Sequence, residues 1–206
     1  MDEFVINYFE KELLKSGDKI LFHTKGFSPI SLGIRMLTQS FWNHVGEYVK
    51  EGSEGFVIEA LPKGVAKNSI EKYIDNPSYI LKAVRLKESA FKDETEYILG
   101  LRLSVKRMYD KIGKKYDTGA IVFLGIKYIF ISLIRKTKKI APNLNLFQSR
   151  EKFFCSEAIC ESDYKISSVN PYLYQGSTKQ NCSTTTPKDI GKSLFVEAIT
   201  GEIHKI

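Results

Sequence analysis

The chain has 206 residues, 43% hydrophobic and 27% charged, a balance that excludes wholesale disorder and suits one well-buried domain. Its net charge of +7 is unevenly placed: eleven of the 31 basic residues lie between Arg102 and Lys139, beside only Asp110 and Asp117, so the remainder is close to neutral. Three cysteines (Cys155, Cys160, Cys182) cannot all pair and form no C-x-x-C, which argues against a disulfide scaffold and a structural zinc site.

The first residues carry acids where a secretory signal needs bases, and no long apolar run follows. No signal peptide is expected, and a reducing cytoplasm is the expected location. Residues 3–15 read as a short amphipathic helix with Phe4, Ile6, Phe9, Leu13 and Leu14 on one side. Gly17-Asp18 breaks it before a predicted strand, Lys19 to His23. The runs His44–Val49 and Phe56–Leu61 flank Glu51-Gly52-Ser53-Glu54-Gly55 and predict a hairpin. Further strands are predicted over Tyr79–Leu86 and Ser193–Ile199.

A helix is predicted over about Asp93–Ile112, where Ile98, Leu101, Val105, Met108 and Ile112 form one apolar stripe and Gly113 supplies a stop. A second is predicted over 155–164, opened by Cys155-Ser156-Glu157. Strands first, helices later and no βαβ alternation give an α+β class and a single domain over 1–206. Gly119–Ile134 is almost continuously apolar but contains Lys127 and falls short of the roughly 20 residues a membrane span needs. It reads as a buried helix. Because Arg135-Lys136-Thr137-Lys138-Lys139 follows directly, peripheral contact with a membrane surface through 119–139 is the open alternative.

Cys155 sits where Phe153-Phe154 meets a predicted helix start. There the helix dipole and free N–H groups favour a thiolate and can later hold an oxyanion. The alternative is a small buried hydrophobe. Cys160 is about 140° round the same helix and reads as core, whereas Cys182 lies in a polar loop without an evident partner. Of three histidines, His204 is near the end of the chain and reads as solvated, and His23 ends a strand and reads as structural. His44 opens an alternating run. Glu59, inside Phe-Val-Ile-Glu-Ala-Leu, wants a partner. A register pairing Tyr48 with Val57 places Glu59 opposite Gly46, on the face of His44; a slip by one residue moves it to the other face.

These pieces, taken in order, resemble the permuted papain-like cysteine amidases, the YaeF/YiiX type within the NlpC-like group. Gly17–Phe22 is similar to the family's opening strand and Trp42-Asn43-His44-Val45-Gly46 to its histidine strand. Val57-Ile58-Glu59-Ala60 with Gly64-Val65 is similar to the acidic strand and its turn. Tyr116-Asp117, Phe154-Cys155-Ser156-Glu157 and Thr186-Pro187-Lys188-Asp189 complete the set, which spans about residues 17–195. The resemblance implies an antiparallel sheet packed against helices, with a nucleophile that follows the histidine. It also implies a Cys155–His44–Glu59 triad, with Tyr116, Trp42 and Ser156 on the substrate side. The family has a short span between the Tyr-Asp pair and the cysteine. Here 37 residues intervene, which marks an apolar and basic insertion at about 119–145.

The expected activity is hydrolysis of an amide or ester through an acyl-enzyme, on a small-molecule, peptide or lipid acyl substrate. The nearest alternative is lipid-directed acyl transfer or lipolysis of the kind the lecithin:retinol acyltransferase-like proteins perform, which the insertion would suit. A non-catalytic membrane- or nucleic-acid-binding module is the second alternative. No nucleic acid partner is expected, because the basic helix carries no helix-turn-helix, zinc-finger or RNA-recognition signature. No P-loop, G-x-G-x-x-G or metal-ligand spacing occurs, so no cofactor or metal is expected.

Overall fold

The computed structural model describes residues 5–25, 40–117, 152–167, 171, 172, 182 and 185–205. Strands β2 (Lys19–Thr24), β3 (His44–Glu51), β4 (Glu54–Leu61), β5 (Gly64–Ser69), β6 (Tyr79–Leu86) and β9 (Val196–Thr200) form one sheet. Its order is β5-β4-β3-β2-β6-β9, and every pairing is antiparallel. Helices α1 (Glu71–Ile74), α2 (Glu94–Tyr109), α3 (Cys155–Ser162) and α4 (Pro187–Gly191) complete the α+β architecture. The predicted insertion at about 119–145, and with it the expected membrane contact of 119–139, lies outside the described residues.

The sheet is buried on both faces because alternate residues serve two cores. Leu21, Val45, Val49, Ile58 and Ala60 pack on one side with Met108 of α2 and Ala158 and Ile159 of α3. Ile20, Phe22, Tyr48, Val57 and Leu81 pack on the other with Leu14, Ile70 and Tyr73. The β3–β4 hairpin closes through Gly52, whose φ of +60° suits a residue without Cβ, and it adopts the Tyr48↔Val57 register. A one-residue slip would exchange the two cores.

The N-terminal segment is not the predicted amphipathic helix. Val5–Tyr8 forms β1, paired antiparallel with β10 (Glu202–Lys205), and only Lys11–Leu13 makes a 3-10 turn. An isolated helix of that length is marginal, and pairing with a strand from the far end of the chain supplies the backbone bonds instead. α2 begins where Asp93 accepts the Glu96 N–H at 2.8 Å. Its inward face holds Leu101, Val105 and Met108, as the periodicity predicts, but also Gly100 and Ser104, while Ile98 and Ile112 are each 41% exposed. The helix seats itself through its small residues: a Cβ at Gly100 would meet the Ile166 carbonyl oxygen at 2.7 Å.

Beneath α2 lies a charged cluster with no exposure to solvent. Lys19 Nζ donates to Glu47 Oε2 at 2.7 Å, to Asp163 Oδ1 at 3.1 Å and to Ser104 Oγ at 3.3 Å. The Ser104 hydroxyl lies within hydrogen-bond reach of both carboxylates, with one proton to share between them, and the Tyr172 hydroxyl donates to Asp163 Oδ2. Strands β2 and β3, helix α2 and the end of α3 are thereby tied at one point.

Candidate active site

The sheet register decides which side chains meet. His44 is the first residue of β3, and Glu59 stands on β4 on the same face. His44 Nε2 donates to Glu59 Oε2 at 2.6 Å. Gly46 makes room for this pair: a Cβ there would meet Val57 Cγ1 at 2.4 Å and Glu59 Cβ at 3.1 Å. Glu59 is 1% exposed and His44 17% exposed at the side chain, so the pair sits in a wall with one edge open.

Cys155 opens α3 and is the free cysteine among the described residues, 3% exposed. It is placed by β8 (Lys152–Phe153), which pairs in parallel with β7 (Lys115–Tyr116) and runs directly into the helix. Glu157, three residues on from the N-cap Phe154, accepts the Phe154 N–H and fixes the first turn. The first N–H groups of a helix have no intrahelical partner, so they are available beside the sulfur.

The electrostatics link these groups. Burial opposes a charge on His44, yet interaction with the Cys155 thiolate and then with the Glu59 carboxylate outweighs it and raises the imidazole pKa to about 10. Glu59 is likewise disfavoured by burial, but hydrogen bonds from His44, Tyr73 and Asn68 and the His44 charge hold it below the usual carboxylate range. With Nε2 committed to Glu59, Nδ1 is the ring nitrogen left for the thiol. Tyr116 is raised above the usual phenol range by burial and by the Cys155 and Asp117 charges, so its hydroxyl keeps its proton. Glu157 rises to about 8, chiefly through burial, with the Glu161 and Asp117 charges adding to it against the Phe154 N–H. Near neutrality it is mostly uncharged and does not oppose a neighbouring thiolate.

The residues expected on the substrate side fall in different places. Tyr116 is close enough to Cys155 to feel its charge. Trp42 packs half-buried against the core that contains Cys155, edge-to-face with Phe41 at 5.0 Å. Ser156 is 1% exposed and its hydroxyl donates to the Thr185 carbonyl at 2.7 Å, so its side chain serves the fold and its backbone N–H is what it has to offer a substrate. His23 stacks on Phe41 at 3.9 Å and bonds its carbonyl through Nδ1 at 2.7 Å, a structural histidine.

Two expectations about cysteine fail. Cys160 is not simply core and Cys182 is not an unpartnered surface residue: they form a disulfide, and both are buried. Their separation of 22 positions hides a pairing that spacing rules do not reveal. Disulfides persist in oxidising surroundings, so the bond also removes the argument for a reducing compartment. Sequence reading missed Glu157 as a buried acid, and it missed Asn68 and Tyr73, which bond Glu59 from β5 and α1. β5 was not predicted as a strand, so nothing in the sequence placed them there.

No family model matches the chain, and no curated protein matches its sequence. Among solved structures it is similar to the crystal structure of the metalloprotein yiiX from Escherichia coli O157:H7, a DUF1105 protein. The identity is 15% and the TM-score 0.57, over 91% of this chain and 97% of that one. At that identity, what the chain shares with that protein is its α+β fold. Among the described residues here, no group of three or more His, Cys, Asp or Glu side chains is arranged to hold a metal ion.

Proposed function

We propose that this chain is a cysteine hydrolase of the permuted papain-like type, acting on an amide or ester through an acyl-enzyme. The observation that carries the reading is the alignment of a free thiol at a helix start with an imidazole whose far nitrogen is held by a buried carboxylate.

In this mechanism Cys155 attacks the acyl carbon as the thiolate, its proton held on His44, forming an S–C bond and placing negative charge on the carbonyl oxygen. The unpaired N–H groups at the start of α3 are the donors for that oxygen, and Tyr116, which retains its proton and lies close enough to feel the Cys155 charge, is a candidate side-chain donor. When the tetrahedral species collapses, the C–N or C–O bond breaks and His44 gives its proton to the leaving nitrogen or oxygen. Water then gives a proton to His44 and hydroxide to the thioester carbon. The acid departs, and the thiolate–imidazolium pair is restored. Glu59 keeps the ring oriented through both steps.

The test compares wild-type protein with Cys155→Ala and His44→Ala, using an acyl-directed activity probe and p-nitrophenyl esters. Cys155→Ala is expected to abolish probe labelling, and both variants to lower ester turnover at least a hundredfold. Labelling that survives the loss of Cys155 would remove the nucleophile from the mechanism.

A further inference from the structure

We propose that Tyr73 and Asn68 are positioning residues that keep Glu59 in the form and orientation His44 requires; this rests on the hydrolase reading above. The argument begins with Glu59 itself. A carboxylate at 1% exposure, flanked by Ile58 and Ala60, has two oxygens to satisfy, and His44 satisfies only Oε2. The other oxygen, Oε1, accepts the Tyr73 hydroxyl and, at 3.0 Å, Asn68 Nδ2. With donors on both oxygens, the carboxylate cannot rotate without breaking a bond, and the imidazole plane is fixed through it.

Each positioning group is itself held. Tyr73, from α1, meets Phe22 edge-to-face at 5.0 Å and Tyr79 at 5.1 Å, and Phe22 also packs on the His44 ring at 5.2 Å. One aromatic cluster therefore seats both the donor and the histidine. Asn68 has an ambiguous amide until its other end is considered. Lys72 Nζ donates to its Oδ1 at 3.4 Å, which turns Nδ2 toward Glu59. A lysine can only donate, so the orientation follows from chemistry.

The groups facing Glu59 are His44 from β3, Asn68 from β5 and Tyr73 from α1. Behind them stand Cys155 from α3 against His44, Tyr79 from β6 against Tyr73, and Lys72 over the Tyr73 ring at 5.2 Å. Burial and the Glu59 charge keep the Tyr73 hydroxyl protonated, so it remains a donor throughout the working range. Removing either donor makes the carboxylate easier to protonate. Once protonated, it no longer supports the imidazolium, and the thiolate is lost at a higher pH than in the wild type.

The experiment measures the rate of Cys155 alkylation by iodoacetamide against pH in wild type, Tyr73→Phe and Asn68→Asp, with Cys155→Ala as the control. Tyr73→Phe keeps the ring in its cluster, and Asn68 is only half-buried, so at least one variant is available in folded form, checked by its melting temperature. The acid limb is expected to move up by about one pH unit in Tyr73→Phe and at least as far in Asn68→Asp. A purely structural role would lower the melting temperature and leave the limb in place, and a limb unmoved in both variants overturns the assignment. Undiminished alkylation in Cys155→Ala would instead strike at the hydrolase reading itself.

Discussion

In the proposed mechanism His44 has a task for each ring nitrogen, Nε2 toward Glu59 and Nδ1 toward Cys155. Its pKa of about 10 reflects two negative partners, and the sign of the consequence follows. A histidine raised on folding lends stability that is complete below its ordinary value near 6.5 and is lost as pH climbs through about 10. Activity should therefore hold on the alkaline side until about pH 10 and then fall as the imidazolium loses its proton. In Glu59→Gln the carboxylate charge is gone while the shape remains, so the alkaline limb of ester turnover is expected to move down by at least one pH unit. A limb that stays near 10 in that variant would mean Glu59 does not act through His44. The sequence marks His44 and Glu59 as candidates but leaves two registers open; the two-residue turn at Gly52 selects Tyr48↔Val57, the one that puts both on the same face. Which donors hold the carboxylate was not legible, because Asn68 and Tyr73 are nine and fourteen residues further on, in elements without a periodic pattern.

At the level of elements, helix α3, which carries the proposed nucleophile, is held at its start and again toward its end. Its start is fed by β8, and Cys160, two residues before its last, is bonded to Cys182. The Thr185 N–H donates to the Cys182 carbonyl at 3.2 Å, its hydroxyl donates to Cys160 Sγ at 3.4 Å, and its carbonyl accepts Ser156 at 2.7 Å. A separation of 22 residues implies a stabilisation of about 3 kcal/mol from the closed loop. Cys160→Ala with Cys182→Ser should lower the unfolding free energy by about that amount, and dithiothreitol should destabilise the wild type but not the double variant. Equal melting with and without reductant in the wild type would show that the bond contributes nothing. Strands β2, β3, β4 and β6 are readable as short runs rich in apolar and β-branched residues bounded by turn residues, the pattern of strands covered on both faces. α2 was readable in extent but less so in its seating, because Gly100 and Ser104 do not register as apolar and yet form the contact face. β1 escaped notice because its partner, β10, lies at the opposite end of the chain.

Across the whole molecule, the cluster around Lys19 is the point where sheet and helices are joined. Two carboxylates share one ammonium, all out of water, and Glu47 Oε1 has no hydrogen-bond partner among the described residues. Burial raises the Glu47 pKa above the usual carboxylate range, and Asp163 adds to that, against Lys19 and Ser104. The folded state then holds a proton the unfolded chain has released, so this site makes the protein less stable as pH rises from about 4.5 toward neutrality. Lys19→Met strands both carboxylates and is expected to cost about 3–5 kcal/mol by chemical denaturation. An unchanged denaturation midpoint would mean the cluster is dispensable. The sequence offered Lys19 only as part of an opening strand, and nothing local distinguishes a lysine pointing into a core from one pointing at solvent.

The parallel pairing of β7 with β8 has a consequence for how this chain can change. Lys115 lies opposite Lys152 and Tyr116 opposite Phe153, so the chain is anchored in register on either side of residues 118–151. Loop-closure entropy grows only slowly, by about 0.6 kcal/mol for each doubling of length. With both anchors belonging to the frame, a change in the number of residues that join them costs the fold little. β8 leads straight into Cys155, so the pairing that tolerates such a change also holds the proposed nucleophile in place.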